Sequence, residues 1–309
     1  MLTVRAPAKL NLYLRILGRR PDGYHELDTV FERIDLADEL TLEPQAGALT
    51  LTCDDPSLPL DETNLVLRAA RVLQQASRSR RGARLHLAKR IPIAAGLGGG
   101  SSDAAATLSG LNEVWELGLT REVLSELAVE LGSDVPFFLS CSAFAIGRGR
   151  GERCEALSDG PTLTQVLVTP EARLSTRAIY EDFARQPAAS STLTASGTSS
   201  TMLVHALRNG SLSELAKGFR NDLQPLAIRR CPVSSVIQRR LRELHCLGTL
   251  VSGSGPSVFG LCSDLAHGQE VVKLLRTEPG AAWRVEIVRT LHETSPRETR
   301  ETQSSLSDH

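Results

Sequence analysis

The sequence holds no apolar run long enough to cross a bilayer. Its longest, Val135 to Ile146, is interrupted by Ser140, Cys141 and Ser142 and falls short of the about 20 residues that a spanning helix needs. Aromatic residues are scarce, 4% of the chain with two Trp and three Tyr, which leaves few membrane-interface anchors and few platforms for stacked bases. An excess of either charge is lacking too: 35 Lys plus Arg against 36 Asp plus Glu give a formal net charge of -1, no electrostatic footprint for nucleic acid. Lys9, Lys89, Lys217 and Lys273 are the only lysines, so a lysine inside a motif stands out. The six cysteines (Cys53, Cys141, Cys154, Cys231, Cys246, Cys262) never reach C-x-x-C spacing; neither a zinc site nor a redox dithiol is indicated, and reduced core thiols are expected. Arg5, Lys9 and Arg15 break the N-terminal region at intervals that no signal peptide shows. The expected location is cytoplasmic, with neither nucleic acid nor a membrane as partner.

What is present fits a globular chain. Its 309 residues, 41% hydrophobic and 23% charged, can bury the cores of roughly two domains. From Leu10 to Ile16 apolar residues alternate with Lys9, Asn11, Tyr13 and Arg15, the pattern of a half-buried strand. Arg20-Pro21-Asp22-Gly23 is turn chemistry, and Tyr24 to Ile34 reads as the return strand. Helices are expected over Asn64 to Ala76, from near Ser101 to about Trp115, and over Arg121 to Leu131 between Thr120 and Gly132 as caps. Ser133 to Pro136 reads as an irregular connection. Further on come a strand over Gln165 to Val168, helices over Thr176 to Ala184 and Leu212 to Phe219, and one with Pro232 at its first position that Gly248 ends. A last helix over Gln269 to Arg276 and a strand over Arg284 to Arg289 follow. Gln186 to Thr201 reads as a mobile Ser/Thr/Ala stretch, and the residues after about Leu291 as disordered. Strands and helices mix without a regular βαβ alternation, which argues for α+β with two subdomains.

Three segments carry candidate chemistry. Gly96-Leu97-Gly98-Gly99-Gly100-Ser101-Ser102-Asp103 lies between a strand and an alanine-rich helix. Each glycine costs about 0.5 to 1 kcal/mol in ordering entropy relative to alanine, so four together need compensation. Close approach of an anion to backbone N–H groups and to the positive helix end supplies it; a flexible loop with a serine cap is the alternative. The loop is neither a Walker A loop, since no Lys follows the last glycine, nor G-x-G-x-x-G. In Pro7-Ala8-Lys9-Leu10-Asn11-Leu12, strand alternation places Lys9 and Asn11 on one polar face. That face can grip a phosphate, or can be plain exposed strand. In Gly132-Ser133-Asp134-Val135-Pro136-Phe137, Asp134 is either a reactive carboxylate or a turn residue. Tyr24-His25 and Gly253-Ser254-Gly255-Pro256-Ser257 read by themselves as strand residues and a hairpin turn. Ser101 and Ser102 lack a G-x-S-x-G setting, so an esterase reading finds no support.

Taken together and in order, these segments resemble the kinases of the galactokinase, homoserine kinase, mevalonate kinase and phosphomevalonate kinase (GHMP) superfamily. Arg19-Arg20-Pro21-Asp22-Gly23-Tyr24-His25-Glu26-Leu27, the extended glycine loop and Gly-Ser-Asp-Val-Pro-Phe-Phe narrow the resemblance to its 4-diphosphocytidyl-2-C-methyl-D-erythritol kinases. It runs from about residue 3 to residue 290 and takes in Asn221-Asp222-Leu223.

The resemblance implies a two-domain α+β fold: a ribosomal protein S5 domain 2-like N-terminal domain over residues 1–152, a ferredoxin-like C-terminal domain over 153–290, and a disordered tail over 291–309. It implies ATP-dependent phosphorylation of the substrate's 2-hydroxyl in non-mevalonate isoprenoid synthesis, with Lys9 and Asp134 as catalytic residues. Asn64, Pro92, Ile93, Ala94, Ala95, Gly96, Leu97, Gly98, Gly99, Gly100, Ser101 and Ser102 would face ATP. Asn11, Tyr24, His25, Thr176 and Tyr180 would face the cytidine-diphosphate-linked alcohol, Tyr180 standing where similar kinases more often have Phe. Mg2+ is expected with ATP, though no carboxylate cage for it is legible, and Asp103 reads as a first-turn carboxylate on the helix dipole. The expected assembly is a monomer or homodimer. The alternatives are a GHMP kinase for another alcohol, of the homoserine or mevalonate type, and a non-catalytic nucleotide and sugar sensor.

Overall fold

The computed structural model describes residues 1–157, 160–186 and 199–292. Two sheets organise them. In the first, the order is β3 (Leu49–Cys53), β4 (Arg81–Ala88), β2 (His25–Ala46), β1 (Leu2–Arg19), β8 (Arg220–Asn221). Strand β5 (Phe144–Gly149) pairs with β2, and β6 (Arg153–Leu157) with β5. The second sheet runs β11 (Trp283–Arg289), β7 (Thr164–Pro170), β10 (Val258–Leu261), β9 (Gly248–Val251), all antiparallel. The α+β class with two subdomains is borne out.

The opening hairpin is longer than its alternation suggests, because β1 reaches beyond the patterned residues in both directions and β2 runs past Ile34 to Ala46. Nor is β1 half-buried: Leu10, Leu12 and Tyr13 are fully buried, and Lys9 and Asn11 nearly so. Leu10 and Leu12 join Phe144, Leu167, Leu203 and Phe259 in a core between the two sheets. The opposite face is covered by the glycine loop. Packing on both sides overrides what a polar–apolar alternation implies for an isolated strand.

Helices α1 (Leu65–Ser77), α2 (Gly99–Val114), α3 (Arg121–Leu131) and α4 (Val135–Leu139) cover the first sheet. The Asn64 carboxamide caps α1 through Val66 N, and the Thr120 hydroxyl caps α3 through Val123 N. Ala104, Ala105 and Ala106 bring α2 close to the sheet; at Gly110 a methyl would fall 2.2 Å from Leu42 Cδ1. Ser133 to Pro136 is not wholly irregular, since Asp134 caps the short helix α4 with Pro136 in its first turn, where a missing N–H costs nothing.

The second half supplies α5 (Thr176–Ala184), α6 (Ser200–Arg208), α7 (Leu212–Gly218), α8 (Gln224–Arg230), α9 (Val233–Glu243) and α10 (Leu265–Arg276). Pro232 is the N-cap of α9 rather than its first residue, and the helix ends at Glu243 with Leu244 as cap. Gly248 therefore opens β9 instead of closing the helix. The mobile stretch expected from Gln186 lies mostly outside the described residues, as does the expected tail from 293 onward; Ser200 and Thr201 already belong to α6. Cys231, Cys246 and Cys262 are buried thiols, but Cys53, Cys141 and Cys154 are only half-buried. Among the described residues no helix is long and apolar enough to cross a membrane.

Candidate active site

Register shifts between Pro7 and Lys9 and between Asn11 and Tyr13 shape the middle of β1. Lys9 N donates to Leu97 O at 3.0 Å, tying the strand to the glycine loop. The Lys9 ammonium bonds Asn11 Oδ1, stands 3.6 Å from Asp134 Oδ2 and lies 5.6 Å from the centre of the Phe31 ring. Asn11 Nδ2 donates to Thr29 Oγ1 at 2.9 Å, which donates to Tyr13 O at 2.6 Å, so the amide orientation is fixed. Burial lowers the Lys9 pKa, against the opposing pull of the Asp134 carboxylate. Although Asp134 caps α4, its side chain makes no capping hydrogen bond; the carboxylate points into the open.

Beside this pair, helix α2 opens. Gly98 takes the left-handed conformation at φ 72 as N-cap, and the first helical bond runs from Ser102 N to Gly98 O. The N–H groups of Gly99, Gly100 and Ser101 are left at the helix mouth, where the dipole is positive. A methyl at Gly98 would crowd Lys9 Cγ and Phe138 Cζ, both at 3.0 Å. The loop is backed by the second domain's glycine turn: Ser252 Oγ donates to Gly96 O at 3.0 Å, and a methyl at Gly96 would sit 2.1 Å from Ser252 O. Gly253 then lies against Lys9 and Asn11. Its turn is held by Asn221, whose Nδ2 donates to Val251 O at 2.8 Å and Gly253 O at 2.7 Å. Asp222 Oδ2 accepts from Ile16 N at 2.9 Å, clasping the turn to β1.

At the other side the aromatic residues gather. The His25 ring lies 5.6 Å from both Tyr180 and Phe183, tilted to the first and edge-on to the second. Arg150 covers the Tyr24 ring at 4.5 Å. Thr176 Oγ1 and Ser254 Oγ share a hydrogen bond of 2.9 Å, joining the start of α5 to the glycine turn. Burial, with the Arg19 charge, lowers the His25 pKa; burial, with Asp134, raises that of Tyr180.

One cavity of about 840 Å³ joins these parts. Lys9, Asn11, Tyr24, His25, Asn64, residues 92–101, Asp134, Thr176 and Tyr180 all line it. Ser102 does not: its side chain is buried, its hydroxyl has no partner, and its N–H is spent in the helix. Asn64 lines the cavity while both ends of its amide are engaged in capping α1 and binding Pro59 O.

The pattern called GHMP kinases N terminal domain matches residues 64–142, and that called GHMP kinases C terminal matches residues 203–280. A 4-diphosphocytidyl-2-C-methyl-D-erythritol kinase of Pelotomaculum thermopropionicum is 43% identical over 277 residues, 89% of this chain and 94% of that one. One of Enterococcus faecalis is 38% identical, over 93% of this chain and 98% of that one. The chain belongs to the 4-diphosphocytidyl-2-C-methyl-D-erythritol kinase family of GHMP kinases. A crystal structure of a 4-(cytidine 5'-diphospho)-2C-methyl-D-erythritol kinase superposes with a TM-score of 0.75 at 35% identity, covering 93% of this chain and 99% of that one. The homoserine kinase of Cytophaga hutchinsonii follows at 0.74 and 19% identity, covering 94% and 95%, a likeness of fold alone.

Several site residues of this 4-diphosphocytidyl-2-C-methyl-D-erythritol kinase family member escape sequence reasoning. Asp103 is no first-turn carboxylate exposed to the dipole: it is buried, and Lys89 Nζ donates to its Oδ2 at 2.8 Å. The same ammonium bonds Asp38, whose Oδ1 accepts from Ile91 N at 2.8 Å. Burial pushes the Asp103 carboxyl upward, with Lys89 opposing and Asp38 adding to the rise. Lys89, one of so few lysines and just ahead of the loop, was the available signal; its partners are 51 residues before it and 14 after. Arg150, between Gly149 and Gly151, carried a comparable hint. Cys154, close by, is pushed up to about 12 by burial with Asp134 and Glu152, which disfavours its thiolate.

Proposed function

We propose that this chain transfers the γ-phosphoryl group of ATP to the 2-hydroxyl of 4-diphosphocytidyl-2-C-methyl-D-erythritol, giving the 2-phosphate and ADP. The observation that carries the reading is that the Lys9–Asp134 pair, 3.6 Å apart, shares one cavity with the open mouth of α2 and the Tyr24, His25 and Tyr180 rings. The phosphates lie against the N–H groups of Gly99, Gly100 and Ser101, where helix dipole and orphan donors favour an anion. The base lies among the aromatic side chains, and the Arg150 guanidinium offers a cation to the diphosphate.

The new bond forms between the substrate's 2-oxygen and the γ-phosphorus as the bond from that phosphorus to the bridging oxygen breaks; ADP leaves with the electron pair. Asp134 orients the hydroxyl and takes its proton late, because in a loose transition state the nucleophile needs positioning more than early deprotonation. Lys9 bridges the Asp134 carboxylate and the transferring group, its ammonium aimed by Asn11. A Mg2+ ion bound with the nucleotide would neutralise phosphate charge. Among the described residues no cluster of three acidic, His or Cys side chains offers a metal cage. Ser101 and Asp134 present oxygen donors to the cavity for it. The two domains, divided near residue 152, each supply part of the site.

The test is ADP release with magnesium-ATP and the cytidylated alcohol, beside homoserine and mevalonate. Turnover with the cytidylated alcohol alone is expected, and Asp134→Asn is expected to lose it at least about 10³-fold while keeping substrate affinity. Turnover of a control alcohol instead, or a near-normal Asp134→Asn, would overturn the reading.

A further inference from the structure

Beneath the first turn of α2 lies a group of three buried charges that phosphoryl transfer itself does not use. Lys89 Nζ is held by Asp38 and by Asp103 Oδ2, and the three side chains are at most 7% exposed. A methyl built on Gly99 would meet that ammonium at 3.3 Å, so the charge lies against the first residue of the helix. Lys89 and Asp103 both line the cavity. Asp103 Oδ1 is buried and has no hydrogen-bond partner, and Lys89 is the cation paired with this carboxyl. Without that lysine, two carboxylates would stand under the place where a polyanion binds, and their repulsion would act through a site poorly screened by water.

We infer that Lys89 is a positioning residue for the nucleotide: by balancing Asp38 and Asp103 under the α2 mouth, it permits the phosphate chain to lie on the glycine loop. The inference rests on the kinase reading above. It requires the effect of the group to scale with phosphate charge and to leave the adenosine end untouched. A merely structural ion group would affect both ends alike.

Binding of adenosine, ADP and ATP to the full chain, measured by titration calorimetry, separates these cases. Lys89→Met should weaken ADP at least about tenfold and ATP more, with adenosine unchanged. Adding Asp103→Asn to Lys89→Met removes one of the unbalanced charges and should restore most of the ADP affinity. Should Lys89→Met not fold, Asp103→Asn alone, nearly isosteric, decides the matter with the opposite sign: it should tighten ADP about threefold without moving adenosine. Equal losses for all three ligands, no loss, or an Asp103→Asn that leaves ADP unchanged or weaker would overturn the inference. Wild-type chain that failed to bind ADP at all would sink the kinase reading and this inference together, whereas normal wild-type turnover with unresponsive variants would sink this inference alone.

Discussion

Replacing Gly253 by alanine tests how tightly the second domain's turn governs the chemistry of the first. The added methyl would lie 3.1 Å from Asn11 Oδ1, 3.2 Å from Lys9 Nζ and 3.2 Å from Gly96 O. Each separation is a few tenths of an ångström too short, and the two side-chain ends, unlike the backbone oxygen, can move. Lys9 would be displaced from the place where it now faces Asp134 at 3.6 Å. Because a misplacement of 1 Å costs up to about 10²-fold, a shift of a few tenths should lower kcat about tenfold. The backbone adds a separate penalty, since Gly253 is at φ 53, where a β-carbon costs about 1 to 2 kcal/mol; the melting temperature should fall by a few degrees. Gly210→Ala separates the two effects: Gly210 is at φ 66 with nothing within 4 Å of an added methyl. It should show the same thermal loss with unchanged kcat. Steady-state ADP release and a thermal melt on both variants suffice. Should Gly253→Ala keep kcat within twofold while melting like Gly210→Ala, the turn would not position Lys9.

Three further outcomes follow from the geometry. Asn221→Ala strips Val251 O and Gly253 O of a shared donor, which should cost about 1 to 3 kcal/mol in a denaturant titration and lower kcat along with it; an unchanged kcat would mean that these bonds hold the turn without governing Lys9. The double variant Tyr24→Ala, His25→Ala should raise KM for the cytidylated alcohol at least about tenfold with KM for ATP unchanged, and equal rises in both would remove the rings from cytidine recognition. Glu32 is fully buried between the domains, accepting from Gln165 Nε2 and Thr290 Oγ1, both at 2.6 Å. Burial pushes its carboxyl up to about 7, with both donors opposing and Asp35 adding. A raised carboxyl binds more protons folded than unfolded between about pH 4.5 and 7, so stability is complete below that window and falls as pH rises through it, by about 3 kcal/mol in total. Glu32→Gln should remove that slope from urea melts; an unchanged slope would place its source elsewhere.

Much of the site is local and was therefore legible. Helix α3 and helix α5 begin and end where caps and spacing put them, and the run of glycines marks the loop through an ordering cost that calls for compensation. Strand alternation alone put Lys9 and Asn11 on one side of β1. Length was misjudged where pairing partners decide it: β2 continues to Ala46 because β4 and β5 bond to its two ends, and neither partner shows in the pattern of β2 itself. The half-buried reading of β1 failed for the same reason, since an interdomain core covers the leucines and a loop 88 residues away covers the lysine.

Residue type and near spacing account for the chemistry available: a lysine, a carboxylate, a glycine-rich helix mouth and an aromatic pair. Only the tertiary structure decided that Gly253 presses on Lys9, that Asn221 holds that turn, and that Lys89 faces Asp38 and Asp103. These contacts join residues far apart in the chain, and burial, which sets their strength, exists only once both domains have closed around them.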